Sequence, residues 1–135
     1  MGRRDDLVAE ETTMATDDKC VTIQPYFKVK DGEMDDVRSY LERLVERTRS
    51  EPACLYYGFS ICGNRIHCRE GYTDALGALA HLKNVGPLLQ EMLGTDKAEL
   101  ADLQVHGPEQ ELAKMRVALE DLGPSYWVLE YGFRN

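Results

Sequence analysis

No apolar run in this sequence approaches the roughly 18 residues of a membrane-spanning helix, so a span of that kind is excluded. Basic side chains are scarce as well: 16 Lys and Arg stand against 24 Asp and Glu, for a net charge of −8. Without a basic stripe, nothing is placed to neutralise a nucleic-acid backbone or to bind an acidic membrane surface. The cysteines Cys20, Cys54, Cys62 and Cys68 form no CxxC pair, which removes zinc ribbons and thioredoxin-type redox sites. GxGxxG, P-loop and GxSxG motifs are missing, so flavin, nicotinamide, nucleotide and acyl-serine chemistry have no foothold. The three histidines, His67, His81 and His106, show no HxH or HExxH spacing, and no protein-bound metal is expected. No secretory h-region precedes residue 20, and the start is too acidic for a transit peptide. A cytoplasmic location, with reduced cysteines, is the resulting expectation.

What remains suits one domain. The chain has 135 residues, 43% hydrophobic and 30% charged, enough to bury a core without disulfides or metals. Residues 1–19 hold six acidic and three basic side chains and little apolar surface, and are expected to form a mobile arm. A core domain is expected over 20–106, and residues 107–135 read as a helix-strand extension of it.

Residues 20–30 are β-branched and aromatic and read as a strand, with Pro25 forcing an edge position, a bulge or a break. Residues 33–49 are the clearest helix, with Met34, Val37, Leu41, Leu44, Val45 and Thr48 on one stripe. Residues 54–61 and 65–72 read as a hairpin around Gly63-Asn64. That register sets Ile61 opposite Ile66 and Phe59 opposite Cys68. It puts Leu55, Tyr57, Phe59, Ile61, Ile66, Cys68, Glu70 and Tyr72 on an inward face, and Cys54 and Tyr56 on the outer one. Residues 74–93 are helical, expected to split at Gly86-Pro87. A strand over 99–106, a helix over 109–122 and an aromatic strand over 125–133 complete the chain.

The order β-α-β-β-α-β plus an extra α-β matches a ferredoxin-like α+β fold: one antiparallel sheet with helices on one face. The free face of such a sheet needs a cover, which points to a homodimer.

Two residues stand out from a plain core. Glu70 lies on the inward face between Cys68 and Tyr72, where a carboxylate must pair, be hydrated or hold its proton. His81, in the helix after the hairpin, titrates near neutral pH without a large shift. Tyr56, Tyr57, Tyr72, Tyr126, Trp127 and Tyr131 cluster in strands, as in a core or subunit interface, and would also suit a flat aromatic ligand.

The stretch Glu33 to Pro87 resembles the antibiotic biosynthesis monooxygenase-like family of small dimeric α+β barrels. LVERTRSEPACLYYGFS looks like that family's passage from first helix to second strand. REGYTDALGALAHLKNVGP looks like its passage from third strand to helix, with Glu-x-aromatic and a histidine nine residues after the aromatic. Glu70, Tyr72 and His81 fit that spacing. Tyr72 departs from the usual tryptophan, and Leu88 stands after Pro87 where a histidine is common. The resemblance covers about residues 20–106 and implies a small aromatic substrate, a phenol, quinol or anthrone, oxygenated without metal or flavin. His81 would be the base, Glu70 would orient or tune it, and Tyr57, Phe59, Tyr72 and Trp127 would meet the substrate. Relatives that degrade haem rely on the tryptophan absent here. The reading from a different class is a non-enzymatic dimeric module that binds a small apolar ligand or only folds and associates, since one fold serves many functions.

Overall fold

The computed structural model describes residues 16–135; residues 1–15 of the expected arm lie outside the described residues. The strands are β1 (Val21–Val29), β2 (Cys54–Cys62), β3 (Arg65–Tyr72), β4 (Ala98–Gly107) and β5 (Ser125–Val128). The helices are α1 (Met34–Thr48), α2 (Ala75–Gly94) and α3 (Glu109–Leu119), with a 3-10 turn over Glu120–Leu122. They form one five-stranded sheet in the order β2-β3-β1-β4-β5. All pairs are antiparallel except β4 with β5. The first four strands have ferredoxin-like topology, and no helix among the described residues is long and apolar enough to cross a membrane.

Burial follows the periodicity. On α1 the buried residues are Val37, Leu41, Leu44 and Thr48, three of them carbon-rich side chains at helical spacing. They pack with Phe27, Val29, Ile66, Val85, Leu88 and Met92 at one end of the sheet. At the other end Val21, Ile23, Tyr72, Ala75, Ala78 and Val105 pack with Leu112, Met115 and Leu119 of α3. The extension therefore closes the same core instead of hanging from it.

Three details differ from the expectation, each for a local reason, while at Pro25 the bulge or break holds and the edge position does not. Pro25 lies in a central strand, not an edge: β1 sits between β3 and β4. Proline has no N–H to donate, and the ladder to β3 lapses between Ile23↔Glu70 and Tyr26↔His67, with a register shift toward β4 at Tyr26/Phe27. In the hairpin Ile61↔Ile66 and Phe59↔Cys68 pair as expected. A bulge between Cys54 and Tyr56 then exchanges the two faces, because one extra residue reverses the alternation. Cys54 consequently packs against the core while Leu55 is 39% exposed.

Helix α2 runs unbroken through Pro87. Its buried residues Ala75, Ala78, His81, Val85, Leu88 and Met92 share one stripe across both halves. Packing of that stripe on the sheet outweighs the roughly 3 kcal/mol an internal proline costs. Strand β5 stops at Val128, short of 133. Its partner β4 ends at Gly107, whose carbonyl accepts the Leu129 N–H at 2.7 Å, and nothing lies beyond to pair with.

Candidate functional site

Between the sheet and the helices lies a cavity of about 480 Å³. The sheet floor supplies Ile23, Phe27, Tyr57, Phe59, Cys68 and Glu70, and α2 supplies Leu79, His81, Leu82 and Leu89. Ala118, Leu119 and Leu122 enter from the extension. The lining is apolar apart from the Glu70–His81 pair and from Lys83 and Gln90, which are exposed on the surface.

Local sequence explains how the pair meets. Glu70 points inward because it is two residues from Cys68 and two from Tyr72 on a strand whose inward face is buried. Asp74 starts α2 by accepting the Gly77 N–H at 2.9 Å, a side-chain cap. The buried Glu111 of α3 accepts the Ala75 N–H at 3.0 Å and satisfies a second orphan donor of that first turn. The helix so anchored turns His81 onto its buried stripe, where the ring is 2% exposed.

His81 lies between two carboxylates. Its Nδ1 donates to Glu51 Oε2 at 2.9 Å, and its Nε2 lies 3.3 Å from Glu70 Oε1. A carboxylate only accepts, so the Glu51 contact assigns the hydrogen to Nδ1 and leaves the Nε2 lone pair facing Glu70. Glu51 is held by Asn84, whose Nδ2 donates to Oε2 at 2.8 Å and to the Arg47 carbonyl at 3.1 Å. The Tyr72 hydroxyl donates to Glu70 Oε1 at 2.6 Å. The rings of Tyr57 and Tyr72 lie 5.1 and 5.0 Å from the imidazole, one on the cavity side and one within the core.

Burial dominates the protonation. Desolvation pushes the Glu70 carboxyl up to about 7, against the downward pull of hydrogen bonds from Tyr72 and Cys68. Desolvation lowers His81, opposed by the Glu51 carboxylate, and the imidazole is neutral at neutral pH. The Tyr57 hydroxyl and the Cys68 thiol are raised by burial and stay protonated. Near neutrality Glu70 exchanges one proton easily beside a neutral imidazole, which is the equipment of an acid–base centre.

The structure thus brings together Glu70, His81, Tyr57 and Phe59. Tyr72 is fully buried behind them and reaches the site through its hydroxyl on Glu70. Trp127 is elsewhere: it stacks on His106 at 5.6 Å and lines a groove of about 660 Å³ near Tyr56 and Arg134. Glu51 is the participant that spacing did not reveal. It precedes Pro52 in the loop after α1, inside the stretch LVERTRSEPACLYYGFS, and the sequence assigned it no role. No group of three or more His, Cys, Asp and Glu side chains among the described residues is arranged to hold a metal ion.

No protein-family model matches the chain, and no curated protein matches it either. Solved structures do. MupZ from Pseudomonas fluorescens is 38% identical, matches 87% of this chain and 95% of its own, and superposes with a TM-score of 0.81. A protein described as an antibiotic biosynthesis monooxygenase is 21% identical over 63% of this chain and 92% of its own, with a TM-score of 0.53. Rv0793 from Mycobacterium tuberculosis is 18% identical over 66% and 94%, with a TM-score of 0.56. The last two share the fold.

Proposed function

We propose that this chain, which belongs to one family with MupZ and shares the fold of the antibiotic biosynthesis monooxygenase-like proteins, is a cofactor-independent monooxygenase of a small aromatic substrate. The observation that carries the reading is the apolar cavity of about 480 Å³ whose polar equipment is a buried carboxyl-imidazole pair. A phenol, quinol or anthrone fits such a space. The Glu70–His81 pair takes the substrate's proton, with His81 as base and Glu70 tuning it, leaving an electron-rich anion that reacts with dioxygen. One oxygen atom enters the product as a carbonyl and the other leaves as water. The substrate gives up the electrons, so no external reductant enters the balance. Tyr57 and Phe59 pack the ring, and the protonated Tyr57 hydroxyl is available to a developing oxyanion.

A homodimer with sheets packed face to face belongs to the same reading. Its support is the outer sheet face, where Tyr26 stacks on His67 at 4.5 Å and His67 Nε2 is buried with no hydrogen-bond partner among the described residues. Light scattering at micromolar concentration is expected to give twice the chain mass; the single mass would overturn it.

The functional test starts with binding. Anthrones, naphthols, quinones and haem are screened by thermal shift on wild type and His81→Ala, because a ligand bound to the native state alone raises stability by about 2.7 kcal/mol at one hundred times its dissociation constant. Each hit then goes to an oxygen electrode. Oxygen uptake in wild type, lost in a folded His81→Ala, is the expected result. Hits recovered unchanged would favour a non-enzymatic ligand carrier. A second enzymatic reading rests on the Glu70 carboxyl, buried at the cavity 3.3 Å from His81 Nε2 and raised by desolvation so that it keeps a proton. Such an acid can donate a proton to a substrate oxygen in a reaction without dioxygen, and conversion without oxygen uptake would mark it.

A further inference from the structure

We propose that Glu51 is the outlet of a proton relay that connects the buried Glu70 through His81 to a separate surface groove. The proposal deepens the reading above and rests on the Glu70–His81 pair as the seat of proton transfer.

Three observations carry it. The first is continuity: Glu70 Oε1 lies 3.3 Å from His81 Nε2, and His81 Nδ1 lies 2.9 Å from Glu51 Oε2. The second is separation. Glu70 and His81 line the apolar cavity, which Glu51 does not line. Glu51 lines a different groove of about 290 Å³ with Val45, Thr48, Arg49, Cys54 and Leu55, which neither Glu70 nor His81 lines. Tyr57 borders both spaces and is the partition between them. The third is exposure: Glu51, at the outer end, is the most exposed of the three side chains, at 12% against 5% for Glu70 and 2% for His81.

An orienting role alone would be served by a neutral acceptor such as an amide or a backbone carbonyl. A carboxylate that faces a surface groove can also take a proton and release it. The groups around Glu51 fit that use. Asn84 donates to it from α2 without competing for a proton. Arg49 lines the groove at the end of α1, with its guanidinium 3.5 Å from Glu46. The Cys54 thiol of β2, pushed up to about 11 by burial and by the Glu51 charge, does not compete.

The transfers balance. When His81 Nε2 takes a proton, from the substrate or from a protonated Glu70, the Nδ1 hydrogen passes to Glu51, which releases it to water in the groove. One proton leaves the cavity and the imidazole ends as the other tautomer. Returning a proton to the substrate later in the cycle runs the same path backwards and restores the first tautomer. No bulk water has to enter the apolar cavity to reset Glu70.

The test needs neither substrate nor oxygen. The infrared band of the protonated Glu70 carboxyl is assigned by its loss in Glu70→Gln. Its hydrogen–deuterium exchange is then followed by rapid mixing into heavy water. In Glu51→Gln, which keeps the size of the side chain and an acceptor for His81, exchange is expected to slow by roughly 100-fold, the scale of a lost acid–base group. In Glu51→Ala, formate diffusing into the groove is expected to restore the rate, which a merely structural role would not allow. Glu51→Asp should recover part of it. Exchange as fast in Glu51→Gln as in wild type would overturn the relay, as would a slowed Glu51→Ala that formate leaves unchanged. Absence of oxygen uptake with every phenol, beside an intact exchange pattern, would instead sink the oxygenase reading alone.

Discussion

Replacing Glu70 by glutamine is expected to change how stability depends on pH. Burial holds the carboxyl at about 7 in the folded chain, against 4.5 for an ordinary glutamate. Between those two values the native state binds more protons than the unfolded one. Stability therefore falls as pH rises through that window, and the protonated carboxyl's contribution is lost above about pH 7. At 1.36 kcal/mol per tenfold change, the interval corresponds to about 3 kcal/mol. Glutamine has nearly the same shape, can accept the Tyr72 hydroxyl and cannot ionise, so it lacks this fall. Urea unfolding of both proteins from about pH 5 to about pH 8 isolates the effect, because the other titrating groups are common to both. His81 acts in the opposite sense, its lowered value costing stability as pH falls, and it largely cancels in the difference. Wild type minus Glu70→Gln should drop by roughly 2 to 3 kcal/mol over that range. A difference that is flat, or that rises with pH, would refute the claim that Glu70 is a desolvated carboxyl.

Three further outcomes follow from the packing. Pro87 is exposed inside a continuous helix, so Pro87→Ala restores an N–H without losing core contact and should stabilise the chain by about 1 kcal/mol or more, read from the same urea curves. Gly71 lies under Tyr56, whose ring an added Cβ would meet at 2.4 Å; Gly71→Ala should cost about 1–3 kcal/mol, and Gly71→Ala combined with Tyr56→Ala should recover part of it. A thiol reagent should modify the exposed Cys62 rapidly in the folded protein. Cys20, Cys54 and Cys68, raised by desolvation, should react only slowly or on unfolding, as mass spectrometry of the labelled peptides will tell.

Where burial is periodic, the fold was open to reading. The α1 stripe from Val37 to Thr48 follows from spacing because it sets one face against the core, and the Ile61–Ile66 pairing follows from the Gly63-Asn64 loop, although Ile61, expected inward, is 41% exposed. The failures were local choices settled by neighbours. Whether Pro87 breaks a helix depends on what both halves pack against, and whether Leu55 faces in depends on a bulge two residues from a strand end. The candidate site was legible only in part. Glu70 stood out because its strand parity put a carboxyl inside, and His81 because imidazole titrates near neutral pH. Glu51 sits in a loop with no period, and its contact with His81 spans 30 residues. Only the fold's closure of α1 onto α2 makes it a partner. Trp127 looked like a ligand contact because aromatics on strands suit either face of a sheet, and its parity faced the other side.

The placement of α3 gives the cavity two separate origins. Its Glu70–His81 pair comes from β3 and α2, while Ala118, Leu119 and Leu122 come from a segment beyond the ferredoxin-like core. Changes to that segment can alter the room available to a ligand while leaving Glu70 and His81 in register. The freedom has a limit, because Glu111 of the same helix also holds the first turn of α2. Ala118 and Leu122 are thus a tunable wall and residue 111 its hinge pin: a variant library confined to the former would vary the room in the cavity, and one that touched the latter would disturb the Glu70–His81 geometry as well.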